Sequence, residues 1–219
     1  MARFHEIHSV LKRTVDAATE PVAVTEAMLH CRSDADEETS WFAAAITTAR
    51  AYCEAHTKRQ VGVGTWTLYL DEFPSDEIQL RLPPVSAVTS IIYNDAAGAS
   101  QTLPAGDYRT DLISEPARIV PAYGITWPST RGQINDVCVT FSAGYASAAA
   151  VPRQFRHAIL MLVAHWREHP EAVSQGSFNH FQMVLNRCSI LSVGRRCIDA
   201  KLEHDSGQIQ NPRHNSDGS

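Results

Sequence analysis

Residues 136–170 read DVCVTFSAGYASAAAVPRQFRHAILMLVAHWREHP, and they hold one clear example of each element type in the chain. Val137, Val139 and Phe141 alternate with Cys138 and Thr140, the period of a half-buried strand. Gly144 ends that strand, and an alanine-rich link leads to Val151-Pro152. Proline suits a first helical position, because its missing N–H leaves nothing unpaired there. Phe155, Ala158, Ile159, Leu162, Val163 and Trp166 then recur at helical spacing and predict one apolar stripe, stopped by Pro170. A second face of this helix is apolar as well: His157, Met161 and His165 line up at i, i+4 and i+8, with Leu160 and Ala164 beside them. A helix apolar on more than one side belongs deep in a core or between subunits. In a chain of 219 residues the subunit contact is the expectation.

That length, with 44% hydrophobic residues, allows one core of ordinary size with arms. The net charge of −5 gives no basic surface for nucleic acid. Five cysteines lack metal-like or disulfide-like spacing; Cys31, Cys53 and Cys138 fall within patterned elements and read as small buried hydrophobes, so a reducing compartment is expected. No apolar run approaches membrane-spanning length, and the first residues lack the apolar centre of a signal peptide. The expectation is a soluble protein made in the cytosol, with no membrane contact.

Outward from the central stretch, residues 1–21 mix basic and small residues around Ile7, Val10 and Leu11, and suit an arm or a short peripheral helix. Thr25 is placed to cap a short helix through Leu29. Acidic residues between Asp34 and Glu38 suit the start of a second helix, where they favour the macrodipole. Phe42, Ala45, Ile46, Ala49, Tyr52 or Cys53, and His56 form its stripe; Lys58 and Arg59 suit its end, and Gly62 its exit. Strands are predicted at Trp66, Leu68 and Leu70, at Ile78, Leu80 and Leu82, and over 88–93, with brief ones around Tyr108 and Ile119. After Pro170, Phe178, Phe181, Val184 and Leu185 form a last amphipathic segment, and residues 199–219 are a polar tail unable to bury enough surface to order itself. Helices, then strands, then helices make an α+β chain: a helical bundle packed with a small, mostly antiparallel sheet, in one domain over 22–198.

His165-Trp166-Arg167-Glu168-His169 matches the H-x-x-E-H pattern in which two histidines one turn apart hold Zn²⁺ and the glutamate activates water. A zinc-dependent hydrolase is therefore a rival reading. It needs a further acidic ligand, and only Glu171, Asp199, Glu203 and Asp205 follow before the expected disordered end. An ordinary helix end, with His169 favoured by the C-terminal dipole, explains the same residues. Gly62-Val63-Gly64 lacks the third glycine of a dinucleotide fingerprint, and Ser142-Ala143-Gly144 lacks the glycine that precedes a nucleophile-elbow serine. No catalytic set and no cofactor site is expected. Arg187, Arg195 and Arg196 make a small basic cluster before the tail.

The ordered features together resemble a known family. They are Thr25-Glu26-Ala27, Ala49-Arg50-Ala51-Tyr52-Cys53-Glu54, Leu70-Asp71-Glu72-Phe73-Pro74, Leu82-Pro83-Pro84-Val85 with Val88-Thr89-Ser90-Ile91-Ile92-Tyr93, and Val139-Thr140-Phe141-Ser142-Ala143-Gly144-Tyr145 before Val151-Pro152. In this order the chain resembles the head–tail connector (adaptor) proteins of long-tailed bacteriophages and gene transfer agents. The resemblance spans about residues 22–196. It departs at Ile190-Leu191-Ser192-Val193-Gly194-Arg195, which keeps the frame of a Leu-Leu-Ser-Pro-Tyr-Arg-like segment without its Pro-Tyr. The resemblance implies a non-enzymatic homo-oligomeric ring, usually a dodecamer, in the virion neck beneath the portal protein. A downstream connector, stopper or tail protein would sit on its far face, with DNA passing through the lumen. A different tail-completion protein is the nearer rival. Under the connector reading, Gly194, Arg195, Arg196 and Asp199 are the expected portal contact. His157, Leu160, Met161, Ala164 and His165 are expected to pack the ring, with helices over 152–169 and 34–59 supplying much of that contact.

Overall fold

The structure, a computed structural model, describes residues 8–34 and 38–169. The fold is α+β. Among the described residues there are three α-helices, α1 (Val24–His30), α2 (Thr39–Thr57) and α3 (Arg153–Glu168). There are eight strands: β1 (Ser9–Val15), β2 (Gly64–Leu70), β3 (Ile78–Leu80), β4 (Val85–Asn94), β5 (Ser100–Thr102), β6 (Tyr108–Asp111), β7 (Ala117–Pro121) and β8 (Val137–Ala143). They form a five-stranded sheet in the order β1-β2-β8-β4-β5 and a three-stranded sheet in the order β3-β7-β6. Every ladder in both is antiparallel.

This corrects the expectation of a helical bundle beside one small sheet. Strand and loop dominate, and the sheet portion is two layers. One further correction, and one strand that no expectation covered, have the same cause. Residues 9–15 are neither a loose arm nor a helix; they pair with β2 along its length, from Ser9 opposite Leu70 to Val15 opposite Thr65. The polar run Ser100–Thr102 becomes β5 by pairing with the end of β4. Neither segment has a strong strand pattern of its own, so a neighbouring ladder sets its conformation.

The central stretch behaves as its pattern requires. Val137, Val139, Phe141 and Ala143 are buried on β8, between β2 and β4. Gly144, at φ +118°, ends the strand. Phe155, Ala158, Ile159, Leu162 and Val163 are the buried stripe of α3. Pro152 sits at the N-cap rather than the first helical turn, and the stop expected from Pro170 lies outside the described residues. Helix α1 starts one residue before Thr25, with Ala23 as its cap. Helix α2 ends at Thr57, and its C-cap Lys58, with a left-handed φ of 55°, makes the turn expected nearer Gly62.

Burial falls into two cores. The helical core gathers Phe42, Ile46, Ala49 and Cys53 of α2, Phe155, Ile159, Leu162 and Val163 of α3, Ala27 of α1, and Val22, Val61 and Val151 from the connections. The sheet core lies between the two sheets and centres on Phe141, Val139, Ile91, Ile119, Ile78 and Leu80. The chain crosses between the cores three times, over residues 16–21, 58–63 and 144–151. At this crossing Gly62 pairs with Tyr145, and a Cβ on Gly144 would collide with the backbone of Gly62 and Val63.

Candidate assembly surfaces

A polar seam joins the two cores, and α2 builds it. Arg50 and Glu54 are the only Asp, Glu, Lys or Arg residues on α2, and both point inward, 1% and 6% exposed. Glu54 Oε1 accepts from Gln60 Nε2 at 2.9 Å and from the backbone N–H groups of Val61 and Gly62 at 3.0 and 3.2 Å. Its Oε2 accepts from Arg50 Nη1 at 3.1 Å and Arg13 Nη2 at 3.0 Å. One carboxylate therefore ties α2 to the second crossing and to β1. Arg50 also donates from Nε to Glu20 at 2.9 Å, on the first crossing. Burial works against the Arg50 charge, but Glu20 and Glu54 outweigh it and raise its pKa. Immediately beyond α2, Arg59 makes a two-pronged pair with Glu115 of the β6–β7 hairpin, at 2.7 and 2.8 Å.

With its charges turned in, α2 presents an uncharged exterior. Its exposed positions are Thr39, Ser40, Trp41, Ala43, Ala44, Thr47, Thr48, Ala51 and Ala55. An outer helix ordinarily carries its charges on the solvent side, so this face has the composition of a packing surface. The stripe expected on α2 includes neither Arg50 nor Glu54, so it does not anticipate this feature. Large apolar side chains also stand exposed elsewhere: Leu29 at 80%, Ile113 at 96%, Tyr123 at 101% and Ile134 at 80%.

The expected ring-packing residues lie along one flank of α3. His157 is exposed, and Leu160, Met161, Ala164 and His165 are half-buried. Leu160 and Met161 reach the helical core from its edge. The flank is thus shared between core and surface rather than deep in either. Two ion pairs fix its orientation. Arg156 Nη2 donates to both oxygens of Glu26 on α1, at 2.8 and 2.9 Å. Arg167 donates to Glu38 at 3.0 Å, to the Cys31 carbonyl and to the Ser33 hydroxyl, and lies over the Phe42 ring. Ser33, and then Arg167, hold the Glu38 carboxyl below the ordinary range. The acid expected to serve the α2 macrodipole is therefore drawn to α3 as well.

His165 and His169 stand with ring centroids 4.9 Å apart. Among the described residues no three His, Cys, Asp or Glu side chains converge as metal ligands. The acids that would complete the zinc motif, from Glu171 onward, lie outside those residues. So do the expected portal contacts Gly194, Arg195, Arg196 and Asp199, as well as Cys188, Cys197 and the tail. Cys31, Cys53 and Cys138 form no disulfide among the described residues; burial pushes the pKa values of Cys31 and Cys138 up.

No protein-family model and no curated protein matches the sequence. Solved structures do match its fold. A chain in the virion of a native gene transfer agent particle is 24% identical with a TM-score of 0.64, over 81% of this chain and 94% of that one. A chain in the neck of an empty gene transfer agent particle, computed with C6 symmetry, is 24% identical with a TM-score of 0.64, over 82% and 94%. One in the neck of a native particle, computed with C12 symmetry, is 24% identical with a TM-score of 0.54, over 80% and 93%. At this identity the likeness is one of fold.

Proposed function

We propose that this chain is a structural protein of a virion neck, a head–tail connector whose copies form a ring beneath the portal, joining capsid to tail and letting DNA pass. The observation that carries this reading is the shared fold with gene transfer agent neck chains, which extends over nearly the whole of those chains. The twelvefold symmetry of one such neck supports a dodecamer. A ring of identical copies uses heterologous contacts, two different surfaces per subunit. The uncharged exterior of α2 supplies one candidate surface. The flank of α3 bearing His157, Leu160, Met161, Ala164 and His165 supplies another.

In this reading the protein is not an enzyme and needs no cofactor. Its partners are its own copies, the portal protein, and a connector, stopper or tail protein on the far face. Gly194, Arg195, Arg196 and Asp199 are assigned to the portal contact. DNA passes without specific binding, because a chain with net charge −5 does not hold it by counterion release. Mass photometry of the protein, alone and mixed with its cognate portal ring, tests the reading. A portal peak shifted by a near-integral set of subunits is the expected result. A folded protein that leaves the portal peak unmoved overturns the portal role and favours a tail-side completion protein.

A further inference from the structure

Strands β2 and β4 end, and β8 begins, at the side of the sandwich away from the crossing, with Leu70 and Tyr93 both opposite Val137. The connection from β7 to β8, residues 122–136, runs over this end and is held along its length. The Ala122 N–H donates to the Asp107 carbonyl at 2.9 Å. Trp127 stacks on Phe73 with ring centroids 4.9 Å apart, and both pack against the sheet core. Thr130 bridges to Asp95, and the Asn135 N–H donates to Asp71 Oδ1 at 2.9 Å. The buried Asp136 carboxylate accepts from the Gln133 N–H and from Asn94 Nδ2. Yet this braced loop turns three large apolar side chains to solvent: Tyr123 fully, Ile134 at 80% and Ile125 at 41%. Tyr123 stands at the corner of a turn closed by the Ile125 N–H on the Ala122 carbonyl, with Gly124 at φ +77°. Anchors already held in place by the free protein lose little conformational freedom when they dock.

Charge identifies what they dock on. The segments at this end, residues 71–77, 95–99, 104–107 and 122–136, set Asp71, Glu72, Asp76, Glu77, Asp95 and Asp107 around the loop against one base, Arg131. Glu72 and Asp76 are exposed. Nucleic acid is repelled by such a surface, and two copies cannot pair through it without setting like charges together. Elsewhere among the described residues, Arg13, Arg50, Arg59, Arg118, Arg156 and Arg167 are paired with carboxylates of their own chain, so much of a second copy's positive charge is already compensated. We infer that this end of the sandwich docks a different protein, whose matching face has an apolar socket for Tyr123 and Ile134 rimmed by lysine or arginine. The identity of that neighbour rests on the neck reading: in an assembled particle it is another neck protein, met on the side of this chain away from the helical core.

Photocrosslinking in assembled particles, with p-benzoylphenylalanine in place of Tyr123, tests this directly. Irradiation should join the chain to a different polypeptide, at a peptide that mass spectrometry places beside lysine or arginine residues. An adduct to a second copy, an adduct within the chain, or none in particles that contain the chain would overturn the inference and leave the neck reading standing. Absence of the chain from purified particles would overturn the neck reading and the inference with it. Titration calorimetry with the joined partner, purified, gives a second measure. Tyr123→Ser combined with Ile134→Ser alters only exposed side chains, so it should melt with the unaltered protein and bind at least about tenfold more weakly. Glu72→Lys combined with Asp76→Lys should also weaken binding, and should flatten its dependence on salt. Unchanged affinity in the first folded variant would contradict the apolar anchor, and in the second the basic rim.

Discussion

Glu54 shows how one side chain can hold two cores together. Its carboxylate accepts from two backbone N–H groups, one amide and two guanidinium groups while only 6% exposed. Removing one member of a buried charge pair leaves the other without compensation, which costs about 3–5 kcal/mol. Glu54→Ala should lose stability of that order in chemical denaturation, whereas loss of a surface pair such as Arg118 with Glu77 should be nearly silent. Asp111 gives a pH-dependent counterpart. The Ser114 hydroxyl, the Ser114 N–H and Arg118 lower its pKa from 3.8 to about 2. A depressed carboxylate contributes stability above its ordinary pKa and loses it as pH falls through the folded value. The β6–β7 hairpin should therefore keep its Asp111 contacts at pH 4 and lose them near pH 2. An NMR titration of the Asp111 carboxyl should give that midpoint in the intact protein, and a higher one in Ser114→Ala.

Among elements, the crossing between the cores brings backbone directly against backbone. Gly144 combines a φ of +118° with direct approach to the Gly62 backbone. Alanine there would meet backbone strain and a collision that no side-chain rotation relieves. Gly144→Ala should lower the thermal midpoint strongly. Gly106→Ala, where nothing lies within 4 Å of the added Cβ, should leave it close to the original value in the same melting experiment. The ladder around β8 explains why the crossing tolerates so little. β8 is held on both sides, by β2 from Gly64 opposite Ala143 and by β4 from Val85 opposite the same residue. A shift at Gly144 therefore moves three strand ends together.

For the whole molecule, the uncharged exterior of α2 is the surface whose proposed role in assembly can be tested. Ala44→Glu and Ala51→Glu place charge on exposed helical positions, so each should change monomer stability by no more than about 0.5 kcal/mol. If α2 packs against the next copy, both variants should remain folded monomers by circular dichroism while the ring peak disappears from native mass spectra. Intact rings from both variants would assign the contact elsewhere. The apolar periodicity of α2, α3 and β8 was legible in the chain, because each stripe depends only on spacing within one element. Of the stripe predicted on α3, Phe155, Ala158, Ile159, Leu162 and Val163 are buried, and Trp166 is half-buried at its edge. The inward turn of Arg50 and Glu54 was not legible, since Arg13, Glu20, Gln60 and the Gly62 backbone become their partners only after three crossings meet. Strands β1 and β5, and the division into two sheets, were hidden for the same reason. Short polar segments become strands by lending hydrogen bonds to a distant ladder, and that pairing has no local periodicity to announce it.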